Sequence, residues 1–234
     1  MEGFRNSICI QSNDLITACY HLPLAAKRLL LLGISKMDNL AMPIAEPVAI
    51  TVAEWQEHFG HKSSGWKRLR EAADKLYDSE VILRDRDDET KRQRWVENYT
   101  YHDGKAWVSF QLTQVVATYV TNQVIGNFTR IDLAAIRELQ SAYSIRLYEL
   151  LARYRGTGWY HVNVEDLREM LALGNKYQKF AELRRRVIDH STDELNGIDA
   201  MHVRWKPVTQ GRKVIALKFK FRMPEEQQML PGMN

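Results

Sequence analysis

The sequence predicts an α+β protein built as two copies of one unit, and three observations carry that prediction. An order of helix, strand, helix, helix and strand hairpin occurs once and then occurs again. The apolar positions repeat with it. Ile50, Val52, Trp55 and Phe59 are matched at a constant offset of 112 by Val162, Val164, Leu167 and Leu171. After two extra residues, Trp66, Leu69, Arg70 and Ala73 are matched by Phe180, Leu183, Arg184 and Val187. In each copy the apolar period switches from helical to two after the second helix, which marks strands. That order belongs to a winged helix-turn-helix domain. The expectation is therefore two tandem winged helix-turn-helix domains related by internal duplication, residues 1–122 and 123–234.

The totals agree with a two-domain protein of this kind. The chain has 234 residues, 45% hydrophobic and 26% charged, enough for two cores and ordinary for a globular protein. Its net charge of +4 is unevenly placed: residues 1–122 carry 15 Lys and Arg against 16 Asp and Glu, whereas residues 123–234 carry 18 against 13. The second half is the better match for a polyanion. Two cysteines, Cys9 and Cys19, stand in no metal-type spacing. With no apolar signal core at the start and Leu29 to Leu32 as the longest apolar run, the expected location is the bacterial cytoplasm, with no membrane partner.

Along the chain, Asn13-Asp14 cap a first helix through Leu15, Ala18 and Cys19, and Pro23 opens a second, LPLAAKRLLLLGISKMD. Leu15, Leu22 and Leu29 are spaced by seven, but Pro23 interrupts any zipper and a core helix is the reading. A loop with Pro43 and Pro47 leads to a strand VAITV, a helix AEWQEHF stopped by Gly60, and a helix GWKRLREAADKLYD begun by Ser63-Ser64. Strands VILRDR, WVENYTYH and KAWVSFQL follow, joined by a charged turn DDETKR and by Asp103-Gly104. The boundary is placed at Asn122, Gly126 and Asn127, past a short helical stretch. The second copy then runs from a helix with Ile145, Leu150 and Leu151 that ends at Gly156, through WYHVNV and VEDLREMLAL. Its second helix is KYQKFAELRRRVIDHSTDEL, and its hairpin is MHVRWK, the turn PVTQGR, and KVIALKFKFR.

The second helix of a helix-turn-helix enters the major groove, and flanking basic groups hold phosphates. At about 100° per residue, Phe180, Leu183, Val187, Ile188 and Leu195 share one side of Lys176–Leu195, while Gln178, Lys179, Glu182, Arg185 and Arg186 share the other. Base contact is assigned to Gln178, suited to adenine, to Arg185 and Arg186, suited to guanine, and to Lys179. Arg184 lies about 40° from Phe180 and is left with two readings, a phosphate contact or a brace paired with an acid. Lys206, Arg212 and Lys213 surround the hairpin turn and, with Lys176, are assigned to phosphate. In KVIALKFKFR, Lys218, Lys220 and Arg222 alternate with Leu217, Phe219 and Phe221, so one face is basic. In the first copy Lys62, Ser64, Lys67 and Arg68 are assigned to phosphate, because Glu71, Asp74 and Asp78 share the outer face and repel DNA.

Enzyme chemistry finds little support. His58 and His61 stand at i, i+3 without a third ligand nearby, and no phosphate-binding loop, dinucleotide fingerprint or nucleophile elbow occurs. A nicking enzyme calls for paired metal-binding histidines and a tyrosine nucleophile, and no His-hydrophobe-His is present. Asp85, Asp87 and Asp88 read as a solvated turn. The expectation is a non-enzymatic protein without cofactors or metal.

Three stretches, IQSNDLITACYHLPLAAKRLLLL, SIRLYELLARYRGTG and YQKFAELRRRVIDHSTDELN with its basic hairpin, resemble the iteron-binding plasmid replication initiators of the RepE, RepA and Pi type, over roughly residues 8 to 222. The resemblance implies two winged-helix domains that straddle one repeated double-stranded DNA site at a plasmid origin, with the main recognition helix at Gln178 to Arg186. It implies monomers that bind iterons, help open AT-rich DNA and recruit the host initiator and replicative helicase. It also implies dimers, joined through the N-terminal domain, that repress their own gene. The chain departs from that pattern in its short N-terminus, in the proline-rich loop from Met42 to Pro47, and in the acidic outer face of its first recognition helix. A winged-helix transcription regulator and a nicking initiator are the competing readings.

Overall fold

The computed structural model describes residues 8–37, 46–60, 64–84, 90–121, 127–198 and 200–223. They form two compact units, Met1–Glu138 and Leu139–Asn234. The division falls later than the expected break after residue 122. The reason is a long-range pairing: β1 (Ile8–Ser12) runs antiparallel to β7 (Phe128–Asp132), so the segment beyond Asn122 returns to the start of the chain. Helix α6 (Leu133–Glu138) belongs to the same unit.

The first unit is built around α2 (Leu24–Ser35), in which nine consecutive residues from Ala26 to Ile34 are buried. Pro23 stands at its N-cap position with φ −54°, a conformation its ring already imposes. Leu15, Leu22 and Leu29 are all in the core. Within α2, Gly33 leaves room for the Phe110 ring, whose nearest carbon would lie 2.3 Å from any Cβ at that position. The short α1 (Asn13–Thr17) is capped by the Ser12 hydroxyl rather than by Asn13.

The first copy of the repeat begins with β2 (Val48–Thr51) and α3 (Val52–Phe59). Thr51 and Glu54 close a reciprocal capping box, each side chain bonded to the other's backbone N–H. Gly60, at φ +74°, ends α3, and α4 (Gly65–Tyr77) lays Leu69, Ala72, Ala73 and Leu76 into the core. The charged stretch after α4 is more regular than expected. β3 (Glu80–Arg84) pairs with β4 (Thr90–Arg94), so Thr90, Lys91 and Arg92 belong to a strand and not to a turn. β5 (Val96–His102) and β6 (Trp107–Leu112) follow, linked by a single 3-10 turn at Asp103–Lys105, and α5 (Gln114–Thr121) closes the copy.

The second unit contains α7 (Ala142–Ala152), β8 (Trp159–Asn163), α8 (Val164–Met170), α9 (residues 180–197), β9 (His202–Gln210) and β10 (Lys213–Arg222). Helix α7 stops at Ala152, four residues before Gly156. The hairpin turn is only Gly211-Arg212, with Gly211 at φ +59°, because Pro207 to Gln210 continue β9. The sheet order is β8-β10-β9, the same as β2-β6-β5 in the first unit. Thr51 and Asn163, 112 residues apart, both occupy helix N-cap positions at the end of the leading strand. Each copy thus places its first strand against the last strand of its hairpin, with the two helices between them in sequence.

Candidate nucleic-acid interface

Helix α9 starts at Phe180, with Lys179 as its N-cap, so the helix expected from Lys176 begins four residues late. Lys176, Gln178 and Lys179 lie exposed in the approach loop, and the Gln178 amide donates to Asn175 Oδ1 at 3.4 Å. From Phe180 onward, Leu183, Val187, Ile188, Ser191, Thr192 and Leu195 face the core, while Ala181, Glu182, Arg184, Arg185 and Arg186 are exposed. Phe180 is half-buried, edge-on to Trp205 at 6.5 Å.

The middle of α9, Arg184–Asp189, is wound as a π-helix. This wider winding brings residues five apart together. Arg184 Nε accordingly donates to Asp189 Oδ2 at 3.0 Å, and the Arg184 guanidinium lies over the Trp205 ring at 5.6 Å. Trp205 Nε1 donates to the other oxygen of Asp189 at 3.1 Å. Of the two readings of Arg184, the brace is therefore what the fold displays, although the Arg184 side chain keeps 58% exposure. Arg185 and Arg186 have no acidic partner among the described residues, and both are exposed. Among the described residues they are committed to nothing.

The loop ahead of α9 is shaped by residues that periodicity does not reveal. Ala172, Gly174 and Tyr177 adopt positive φ. The Arg168 guanidinium, on α8, donates to three of the loop's carbonyls: Tyr177 at 2.7 Å, Lys176 at 2.8 Å and Gly174 at 2.9 Å. Sequence reasoning missed Arg168, since nothing in a helical pattern distinguishes it from a solvated arginine.

The hairpin presents a basic outer face. Lys206, Arg212 and Lys213 are exposed, as assigned from the sequence. Lys218 stands opposite Lys206, and Lys220 opposite Arg204. Arg204 was also missed, though the alternation in MHVRWK contained it. Trp159, 57% exposed, sits across from Lys220 on β8.

In the first copy, Lys62 lies outside the described residues. Ser64 is the N-cap of α4 and accepts a hydrogen bond from Arg68 Nε at 3.1 Å. Lys67, Arg68 and Lys75 border a groove of about 490 Å³ against the start of α2. The acids of this helix are partly engaged: Asp74 accepts from Tyr99 at 2.9 Å and also from Tyr101. Desolvation and then this carboxylate hold both phenols above their ordinary ionisation range. Arg70 lies 4.3 Å over the Tyr101 ring and pairs with exposed Asp103 at 3.4 Å. His58 is buried in the core, and His61 lies outside the described residues. Among the described residues no three His, Cys, Asp or Glu stand together as a metal site, and no helix is long and apolar enough to cross a membrane.

Two strand–helix–helix–hairpin units with the same sheet order define a protein with two winged-helix domains. More narrowly, the chain belongs to the initiator replication protein family: the family model described as "Initiator Replication protein, WH1" matches residues 8–152, and "Initiator Rep protein, WH2" matches residues 163–221. The first of these runs through α7, which in the structure packs against the C-terminal turns of α9 and so belongs with the second unit. A protein of Escherichia coli described as an "Uncharacterized 27.6 kDa protein" is 26% identical over 203 residues, 80% of this chain and 83% of its own. Among solved structures, the Pi initiator protein in complex with iteron DNA superimposes with a TM-score of 0.80 at 23% identity, over 94% of this chain and 99% of that one. At that identity the likeness speaks to the fold.

Proposed function

We propose that this chain initiates plasmid replication by binding directly repeated sites in double-stranded origin DNA, with α9 of the second domain as the main reader. The observation that carries this is the uncommitted pair Arg185 and Arg186, exposed on the second helix of a helix-turn-helix beside a basic hairpin, in a chain of the initiator family. A free guanidinium can take guanine O6 and N7 bidentately. Gln178 and Lys179, at the entry to the helix, add base contacts; N-terminal residues of a recognition helix are those that reach base edges. Lys176, Lys206, Arg212 and Lys213 hold phosphates, joined by whatever reach Arg184 retains beyond Asp189. The first domain adds phosphate contacts from Lys62, Ser64, Lys67 and Arg68.

Family membership further supports opening of adjacent AT-rich DNA, recruitment of the host initiator and helicase, and repression of the chain's own gene by dimers joined through the first domain. The activity is non-enzymatic. Footprinting on the DNA upstream of the chain's own gene tests the reading. Directly repeated protected sites of about two helical turns each are expected. A lone inverted repeat would point to a transcription regulator instead. Strand cleavage of supercoiled origin DNA with magnesium, lost on changing a single tyrosine, would make the chain a nicking enzyme.

A further inference from the structure

We infer that Arg168 is a specificity-determining positioning residue: it makes no DNA contact itself, but clasps the loop that aims Gln178 to Arg186. The inference rests on the reading of α9 as the recognition helix. Arg168 is largely buried, with 14% of its side chain exposed, and the acid it pairs with, Glu165, is 4.0 Å away and mostly in solvent. Its guanidinium is spent on three carbonyl oxygens, those of Gly174, Lys176 and Tyr177. Three convergent carbonyl dipoles repel one another unless a cation sits among them, and a planar fork with five donors meets them where a single ammonium cannot.

The loop needs such a fastener. Ala172 and Tyr177 hold positive φ without being glycine, a conformation that persists only where the surroundings enforce it. Lys179, the N-cap of α9, makes no side-chain capping hydrogen bond, so the helix start is set by the loop rather than by its own cap.

The duplicated unit supplies an independent observation. At the same offset of 112, Gln56 occupies the position of Arg168 on α3. Its side chain lies against Gly65, the first residue of α4, so closely that a Cβ there would sit 2.4 Å from the amide nitrogen. In both copies, this position of the first helix sends a long polar side chain toward the approach to the second, onto the loop ahead of α9 in one and onto the first residue of α4 in the other.

The test compares Arg168→Gln with the wild-type chain by fluorescence anisotropy on the footprinted duplex and on a shuffled duplex. Specific affinity should fall about tenfold, the size of one misplaced base contact. Shuffled-duplex affinity should fall by clearly less, and the salt slope by no more than the about one unit that Lys176 on the same loop contributes, because the Arg168 group itself touches no phosphate. Gly174→Ala, which meets no atom within 4 Å but strains φ +50°, should give the same selective loss. The two changes together should cost less than their product, since both act through one loop. Amide exchange at residues 174–179 in the DNA-free protein should quicken in Arg168→Gln. If Arg168→Gln does not fold, Arg168→Lys decides, with a smaller selective loss expected. A wild type that discriminates between duplexes beside a folded Arg168 variant that discriminates equally well overturns the inference. Loss of equal size on both duplexes, leaving the preference between them intact, also overturns it, by making Arg168 a support for phosphate contact alone. A wild type with no preference overturns the reading of α9 itself.

Discussion

Replacing Arg185 by alanine separates base reading from everything else α9 does. The side chain is exposed and has no acidic partner among the described residues, so its loss takes nothing from the fold, and stability should move by no more than about 0.5 kcal/mol. Arg184 supplies the contrast on the same helix. It is tied to Asp189 at 3.0 Å and stacked on Trp205, yet with side-chain exposures of 58% and 35% that pair contributes at most about 1 kcal/mol to stability. For binding the order reverses. A bidentate guanidinium–guanine pair is worth about 1 to 3 kcal/mol, which is roughly a 5- to 150-fold loss of specific affinity. Shuffled DNA should lose little. Anisotropy titrations at one fixed salt concentration, on the footprinted site and on sites with single guanines replaced, measure both quantities. Arg185→Ala should also become indifferent to the guanine that Arg185 reads, and Arg186→Ala should show the same at a neighbouring position. Unchanged affinity for both specific and shuffled DNA in the two variants would refute the recognition role.

Other consequences can be checked separately. Lys213→Ala, at the start of β10, should weaken binding to all sequences alike and flatten the slope of log affinity against log salt by about one unit, measured between 50 and 200 mM salt. Glu149→Ala leaves Arg146 buried without its 2.9 Å carboxylate partner, and urea unfolding should show a loss of about 3 to 5 kcal/mol in the second unit. His58 is buried, and desolvation lowers its ionisation below the ordinary 6.5. The unfolded chain therefore takes up the proton first. Stability owed to neutral His58 is whole above pH 6.5 and falls as the pH drops below it, by at most about 1.4 kcal/mol per pH unit. His58→Leu should remove that part of the slope in a pH series of urea midpoints.

Much of the architecture was legible because its signals are local. Pro23 at a helix start, Gly60 at a helix end and the alternation in KVIALKFKFR each specify an element within a few residues. The repeat with its offset of 112 then tied those elements into two units. What escaped depended on distance or on charge. The pairing of β1 with β7 joins opposite ends of the first unit, and no local pattern announces it, so the boundary was set too early. Strand β4, TKRQR, has no residue fully buried and carries none of the apolar alternation by which strands are recognised.

At the candidate interface, the exposed arginines were legible from helical spacing. The late start of α9 was not; the left-handed Tyr177 keeps Gln178 and Lys179 out of the helix. Helical spacing put Arg184 near the apolar edge, but its partner at i+5 exists only because the winding is π, and its aromatic platform comes from another strand.

The pairing of β1 with β7 also dictates a timetable. On the ribosome, Ile8 to Ser12 emerge first of the pair, and their partner strand follows more than a hundred residues later. At 5 to 20 residues per second, that leaves an apolar strand edge open for roughly 6 to 24 s. Through that interval the nascent chain offers ICIQS to any holdase or to a neighbouring chain. Synthesis of Phe128–Asp132 ends the exposure, so a stall upstream of that codon stretch should yield aggregation-prone fragments where one downstream should not.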